Sequence, residues 1–250
     1  MNYISVEEAI PLSGLRVAFV KGVPSPWGLA ARVILDLKKI EYIPVGQEPM
    51  AANDALKAWT GHNSAPVAVL NDERPRAGWA EILLLAERLA PTPAMIPADE
   101  AHRIELFGLS HEICGEDGLG WCFRLFLMHD TAAGPKTPGG MRWKYFDDIP
   151  PDHARKRMNA IINNLAARAT AQKSKGIPFL LGDTLTAVDI YWAAFSGLMR
   201  PLGDAVCPVP EFYQNVGGPL CAALDNGLPD ILVEQRDHIA KTYFNGPLVF

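Results

Sequence analysis

Leu15-Arg-Val-Ala-Phe-Val20, running into Lys21-Gly-Val-Pro-Ser-Pro-Trp-Gly28, is the stretch on which the fold turns. Its first part is a short apolar run with β-branched and aromatic positions, the pattern of a buried strand. Beyond it Leu29, Val33 and Leu37 recur every fourth residue, with Lys38 and Lys39 in the last turn, so an amphipathic helix with a cationic end follows. Between them, Ser25-Pro26 is a helix start: proline at the first helical position loses no hydrogen bond, and the preceding serine can cap orphan N–H groups. A strand that turns tightly into a helix gathers amide donors and the positive end of the helix dipole at one point. Such a point suits an anion or a developing thiolate. Ser25 is equally well explained as an ordinary cap.

Working outward, Glu41-Tyr-Ile-Pro-Val45 is a second strand, joined to the first by a right-handed βαβ crossover, and Pro44 puts it at a sheet edge. Asn53-Asp54 can open a short helix carrying Leu56 and Trp59. Ser64 to Leu70 is a third strand, and Glu73-Arg-Pro-Arg76 is expected to return beside it as a fourth. From Gly78, the positions Ile82, Leu85, Ala86 and Leu89 mark a helix that ends before Pro91. Residues 1–14 read as an N-terminal extension on the surface of a domain spanning 15–91. The proline-rich stretch 92–98 is a linker, and strand signals stop beyond it, so 99–250 is expected to be all-helical.

In that second half, Asp99 to Met128 is helical in pattern but interrupted by Gly115 and Gly118-Leu-Gly120. Residues 131–151 hold three Gly and four Pro and read as a long loop, with a short structured piece at Trp143–Phe146. His153 to Ser174 is a helix with Met158, Ile161, Ile162 and Leu165 as its buried stripe. Thr186 and Asp189 have capping-box spacing, with Leu185 and Ile190 as a hydrophobic staple, ahead of a helix apolar on nearly all sides. Leu228 to Thr242 is a final helix.

Composition narrows the functions. A hydrophobic content of 49% suits a packed globular chain, and a formal charge of −5 without a Lys/Arg cluster argues against nucleic acid. No apolar run is long enough to span a membrane, and Met1 to Glu8 lack a signal-peptide pattern, so a cytoplasmic protein is expected. The four cysteines form no C-x-x-C pair and read as reduced thiols. His111 and Cys114 have ligand spacing but no partner pair, so no metal is expected.

A βαβ unit, a ββα unit, a proline connector and an all-helical half with an internal capping box resemble the cytosolic glutathione transferase superfamily over roughly residues 15 to 245. The resemblance implies a thioredoxin-like N-terminal domain and a helical-bundle C-terminal domain. Ser25-Pro-Trp, with Arg32 seven residues on, is similar to the family's helix start, where the side chain at the position of Ser25 faces the glutathione sulfur. Ala65-Pro66 stands where the family has a cis-proline beside the cysteinyl part of glutathione. Thr186-Ala-Val-Asp189 matches the capping box of the central helix. Gly78 and Trp79 stand where the family has Glu-Ser to hold the γ-glutamyl carboxylate, and the Trp79 indole could fill that subsite.

What the resemblance implies is therefore Ser25 as the donor to a glutathione thiolate, with Ala65, Pro66, Gly78 and Trp79 lining the glutathione site. A hydrophobic electrophile would lie against Trp27, Trp121, Phe123 and Phe126, and the chain would be a homodimer. The other reading of the same residues, favoured by Gly78-Trp79, is a binding or scaffold protein that keeps the fold without the thiol co-substrate.

Overall fold

The structure, a computed structural model, describes residues 1–130 and 150–250. The loop expected over 131–151, with its Trp143–Phe146 piece, falls outside the described residues up to Pro150, which precedes a helix opening at Pro151.

Three strands form one sheet in the order β2-β1-β3: β1 (Leu15–Val20), β2 (Ile43–Gln47) and β3 (Val67–Leu70). β1 runs parallel to β2 and antiparallel to β3. Period-two alternation divides its side chains. Leu15, Val17 and Phe19 enter the large core, while Ala18 joins Val45, Val67 and Val69 on the opposite face. On the first face pack α2 (Pro26–Leu37) and α4 (Trp79–Leu89); on the second lie α1 (Val6–Ala9) and α3 (Asp54–Thr60).

The expected fourth strand reduces to a single antiparallel bridge between Ala68 and Arg76. Pro75 beside it has no N–H to extend a ladder. The N-terminal extension does more than cover a surface. Ile4 bridges Val45 on the outer side of β2, and Val6 and Ala9 are buried beneath the sheet. Arg16 is also buried there and spans from the Ala9, Ile10 and Leu12 carbonyls to that of Asn71.

The second half is helical: α5 (Glu100–Cys114), α6 (Leu119–Asp130), α7 (Pro151–Lys173), α8 (Ala187–Ser196), the short α9 (Glu211–Gln214) and α10 (Gly217–Ala222), and α11 (Asp230–Tyr243). The expected interruption between α5 and α6 is present. Asp117 takes φ +59°, and a Cβ on Gly118 would stand 2.7 Å from the His111 carbonyl oxygen, so the turn closes only on glycine.

The 92–98 stretch is packed rather than free. Met95 and Ile96 are buried, Ala187 N–H donates to the Met95 carbonyl at 3.0 Å, and Glu87 accepts from Met95 N–H at 2.9 Å. Lys38, read as part of the cationic end of α2, is buried. Its Nζ reaches Glu87 and the Ala90 and Pro93 carbonyls, each at 2.7 Å. An ammonium is kept in the interior only with such a full set of acceptors.

α8 runs through the middle of the helical half, every residue buried, and packs on α2, α5 and α11. Its start is saturated. Asp189 Oδ2 accepts from Thr186 N–H at 3.0 Å and from the Thr186 hydroxyl at 3.1 Å; Oδ1 accepts from Leu180 N–H at 2.7 Å and Gln235 Nε2 at 2.9 Å. Complete burial still pushes this carboxyl up to about 6.

Candidate functional site

Sheet register brings the sequence motifs to one end of the molecule. With Ala18 opposite Val67, the C-terminal end of β1 lies beside the N-terminal end of β3. The Arg76–Ala68 bridge then carries the chain back to that same end, where α4 begins. The Ser25 loop, the Ala65-Pro66 peptide and the Gly78-Trp79 helix start are therefore neighbours by topology. The Ala65-Pro66 peptide is cis, Pro66 is buried and Ala65 half-buried.

Ser25 is the N-cap of α2 by backbone, its carbonyl accepting from Leu29 N–H at 2.7 Å. Its hydroxyl caps nothing. Ser25 Oγ is closed to water and has no hydrogen-bond partner, although the residue as a whole is half-buried. Because Pro26 has no N–H, the first-turn donors of α2 are those of Trp27 and Gly28, which no i−4 carbonyl of the helix can reach.

At the start of α4 the situation differs. Glu81 turns back so that its Oε2 accepts from Gly78 N–H at 3.2 Å, and Oε1 pairs with Arg74 at 2.6 Å. The Arg74 guanidinium is the main reason that this carboxyl titrates below its usual range. A side-chain carboxylate thus sits at the anion position of the helix end. The signal was in the sequence, as Gly78-x-x-Glu81 has capping-box spacing.

The aromatic candidates separate on burial. Trp79 does not stand alone at the helix start: it packs across to the helical half, 5.6 Å from Tyr191 and 6.2 Å from Phe107 between ring centroids. Trp27 is fixed in the seam between the halves. Its indole N–H donates to the Cys114 carbonyl at 2.9 Å, its ring meets Phe195 edge-on at 4.6 Å, and the Arg124 guanidinium lies 4.0 Å over it. Gly120 permits this approach, since a Cβ there would be 2.9 Å from the Trp27 ring and 2.2 Å from Phe195. Phe123 is wholly buried and is a core side chain, because the buried side of α6 carries it inward with Cys122. Trp121 and Phe126 are half-buried against the same core. Arg32 points to the chain end, donating to the Val249 carbonyl at 2.6 Å under the Phe250 ring.

Two tyrosines absent from the sequence reading tie the helical half to this region. Tyr191 donates to the Trp79 carbonyl at 3.4 Å and Tyr213 to the Pro24 carbonyl at 3.2 Å. Burial raises both hydroxyls well above their ordinary range, so both remain donors at any ordinary pH. No local spacing reveals them, as their partners lie 112 and 189 residues away.

Burial also raises every cysteine: Cys114 well above 9, Cys122 to about 12, Cys207 to about 11, and Cys221 upward. The chain has no low-pKa thiol of its own. Among the described residues no group of three or more His, Cys, Asp or Glu could hold a metal ion, and no helix is long and apolar enough to cross a membrane.

Against known proteins, no family profile and no curated sequence matches the chain. Solved structures do. A glutathione S-transferase of Methylobacterium radiotolerans in complex with glutathione sulfonate superposes with a TM-score of 0.62 at 17% identity, covering 93% of each chain. One from Methylobacillus flagellatus with glutathione bound gives 0.64 at 13% identity, covering 91% of this chain and 95% of that one. A glutathione transferase family member of Pseudomonas fluorescens, with two glutathione molecules bound, gives 0.64 at 14%, covering 96% and 95%. At these identities the likeness is one of fold: a thioredoxin-like domain followed by a helical domain, in the glutathione transferase arrangement.

Proposed function

We propose that this protein binds glutathione at the shared end of its sheet and transfers the thiol to a hydrophobic electrophile. The observation that carries the reading is the Ser25 hydroxyl, sealed from water without a partner at a helix start whose first amides it leaves uncapped. A buried donor in that condition costs about 1–3 kcal/mol, which an acceptor brought to it offsets. A thiolate is such an acceptor. To meet it, the Ser25 hydroxyl has to turn outward about χ1 from its sealed position.

The residues fit glutathione unevenly. Ser25 and the amides of Trp27 and Gly28 suit the sulfur, and the backbone of Ala65 before cis-Pro66 suits the cysteinyl portion. Gly78 and Trp79 would have to receive the γ-glutamyl carboxylate where Glu81 already accepts from Gly78. Repulsion there weakens binding, and Arg74 offsets part of it. Glutathione supplies the ionisable thiol that the buried cysteines cannot. The role of Ser25 is to hold that sulfur as thiolate by donating to it; Trp27, Trp121 and Phe126 are the half-buried aromatic groups left to receive an electrophile. The same reading implies a cytoplasmic homodimer.

Glu81, together with the packed Trp79, favours a second reading, a scaffold of this fold that binds no thiol. Titration calorimetry with glutathione separates the two. Saturable heat that falls in Ser25→Ala supports the transferase; no heat and no thermal shift at millimolar glutathione sinks it and leaves the scaffold.

A further inference from the structure

A cation sits in the seam between the two halves, beside the Ser25 helix start. Arg124 on α6 is half-buried, and its guanidinium lies 4.0 Å over the ring of Trp27, two residues beyond Ser25. Tyr213 gives the same placement from the other end of the Ser25-Pro26 pair. Its hydroxyl donates to the Pro24 carbonyl; burial pushes that hydroxyl up, and the Arg124 charge acts against the rise. The guanidinium is therefore close to both residues that flank Ser25-Pro26.

Packing holds this cation in position. Trp27 is anchored by its indole N–H on the Cys114 carbonyl and by Phe195 against its ring, and Gly120, one turn before Arg124 on α6, lets the ring approach. A guanidinium set over an aromatic ring is attracted by the face of the ring, while its five N–H donors lie in its own plane. The contact with Trp27 thus places the charge without spending those donors. Trp121 stands three residues before Arg124 and shares its side of the helix. Aromatic surface and a planar fork of donors, the shape that pairs with a carboxylate through two bonds, come together next to the helix start.

We propose that Arg124 binds a carboxylate on the electrophile, so that the substrate class is an aromatic acid with an electron-poor carbon rather than a neutral hydrophobe. As a statement about substrate this rests on the transferase reading; the carboxylate contact itself does not need glutathione. With an enone acid, the glutathione thiolate bonds to the terminal alkene carbon, the π pair moves onto the carbonyl as an enolate, and the α-carbon then takes a proton from water. Arg124 holds the acid group through this addition and exchanges no proton. An arginine that only braced Trp27 would be indifferent to the charge of the ligand.

The test uses the full chain and ethacrynate, an aryloxyacetate that carries an enone, against its methyl ester, which has the same enone. Without glutathione, calorimetry with the saturated, unreactive analogues should show the acid binding at least about 10-fold tighter than the ester, the worth of a charge-assisted pair. That preference should vanish in Arg124→Gln and return in part in Arg124→Lys, which keeps the charge and loses the fork. With glutathione, the ratio of kcat/KM for acid over ester should fall by a similar factor in Arg124→Gln. Equal binding of acid and ester by the wild type overturns the proposal, a comparison that needs no variant to fold. So does the absence of saturation by the acid at concentrations on the order of 10 mM, or an acid preference that persists in a folded Arg124→Gln. Acid preference without any heat from glutathione upholds the carboxylate contact and overturns only the transferase reading; turnover of both compounds with no preference for the acid does the reverse.

Discussion

At the start of α8 each carboxylate oxygen of Asp189 has two donors, and the Thr186 hydroxyl is spent on it; at the start of α2 the Ser25 hydroxyl meets nothing. Both sites are hydroxyl residues ahead of a helix, and both read as caps. Under the proposed function, the difference separates a cap that serves the fold from one kept for a ligand. A cap that serves the fold closes its own hydrogen-bond account, whereas a helix start kept for a ligand leaves donors uncommitted. The start of α4 is intermediate: Glu81 satisfies one amide and leaves a charge where an anion would come.

The largest break in this comparison should come from Asp189→Ala, which strips four donors of their acceptor in the core. We expect a loss of about 3–5 kcal/mol, read by chemical denaturation. Next is the pH dependence of the same group. Its folded pKa of about 6 lies above the ordinary carboxylate value of 3.8, so between those values the folded state holds the extra proton. Its contribution to stability is full below pH 4, falls as pH rises to 6 by about 3 kcal/mol, and is flat above. Denaturation of wild type against Asp189→Asn at pH 4 and pH 7 measures it; a difference independent of pH contradicts the assignment.

Ser25→Ala is the converse experiment. Stability should hold or rise, by up to about 1–3 kcal/mol, since the hydroxyl has no partner to lose and its burial cost goes with it, while glutathione affinity or turnover falls roughly 10- to 100-fold, the worth of a hydrogen bond to a charged acceptor. A clear loss of stability with unchanged turnover would return Ser25 to the role of a cap. The smallest effect is expected for Glu81→Gln: tighter glutathione binding by about 2- to 5-fold, because a charge leaves a helix N-terminus, at a cost in stability under about 1 kcal/mol.

Much of the fold was legible because it rests on local periodicity. The strand before Lys21, the helix from Pro26 to Leu37, the break at Gly115–Gly120 and the buried helix after Thr186 all follow from spacing within a few residues. Glu73-Arg-Pro-Arg76 returns beside β3 only as the single Ala68–Arg76 bridge, because the turn before it brings the chain back but Pro75 has no N–H to extend a ladder. At the candidate site, Ser25, Ala65-Pro66 and Gly78-Trp79 were nameable from sequence, and their convergence followed from strand order. Phe123 was not separable from Trp121 and Phe126, since all three belong to one apolar helix and only packing decides which one is sealed.

By itself the sequence determined the two-part architecture and the helix start at Ser25, because both are written in residues that touch their neighbours along the chain. Whether that hydroxyl is used was decided only by tertiary structure. Its possible partners come from segments far apart in sequence, such as the α9 turn that sends Tyr213 to Pro24, and none of them reaches Oγ. An unfilled hydrogen bond is a property of everything that surrounds an atom, and no local pattern encodes it.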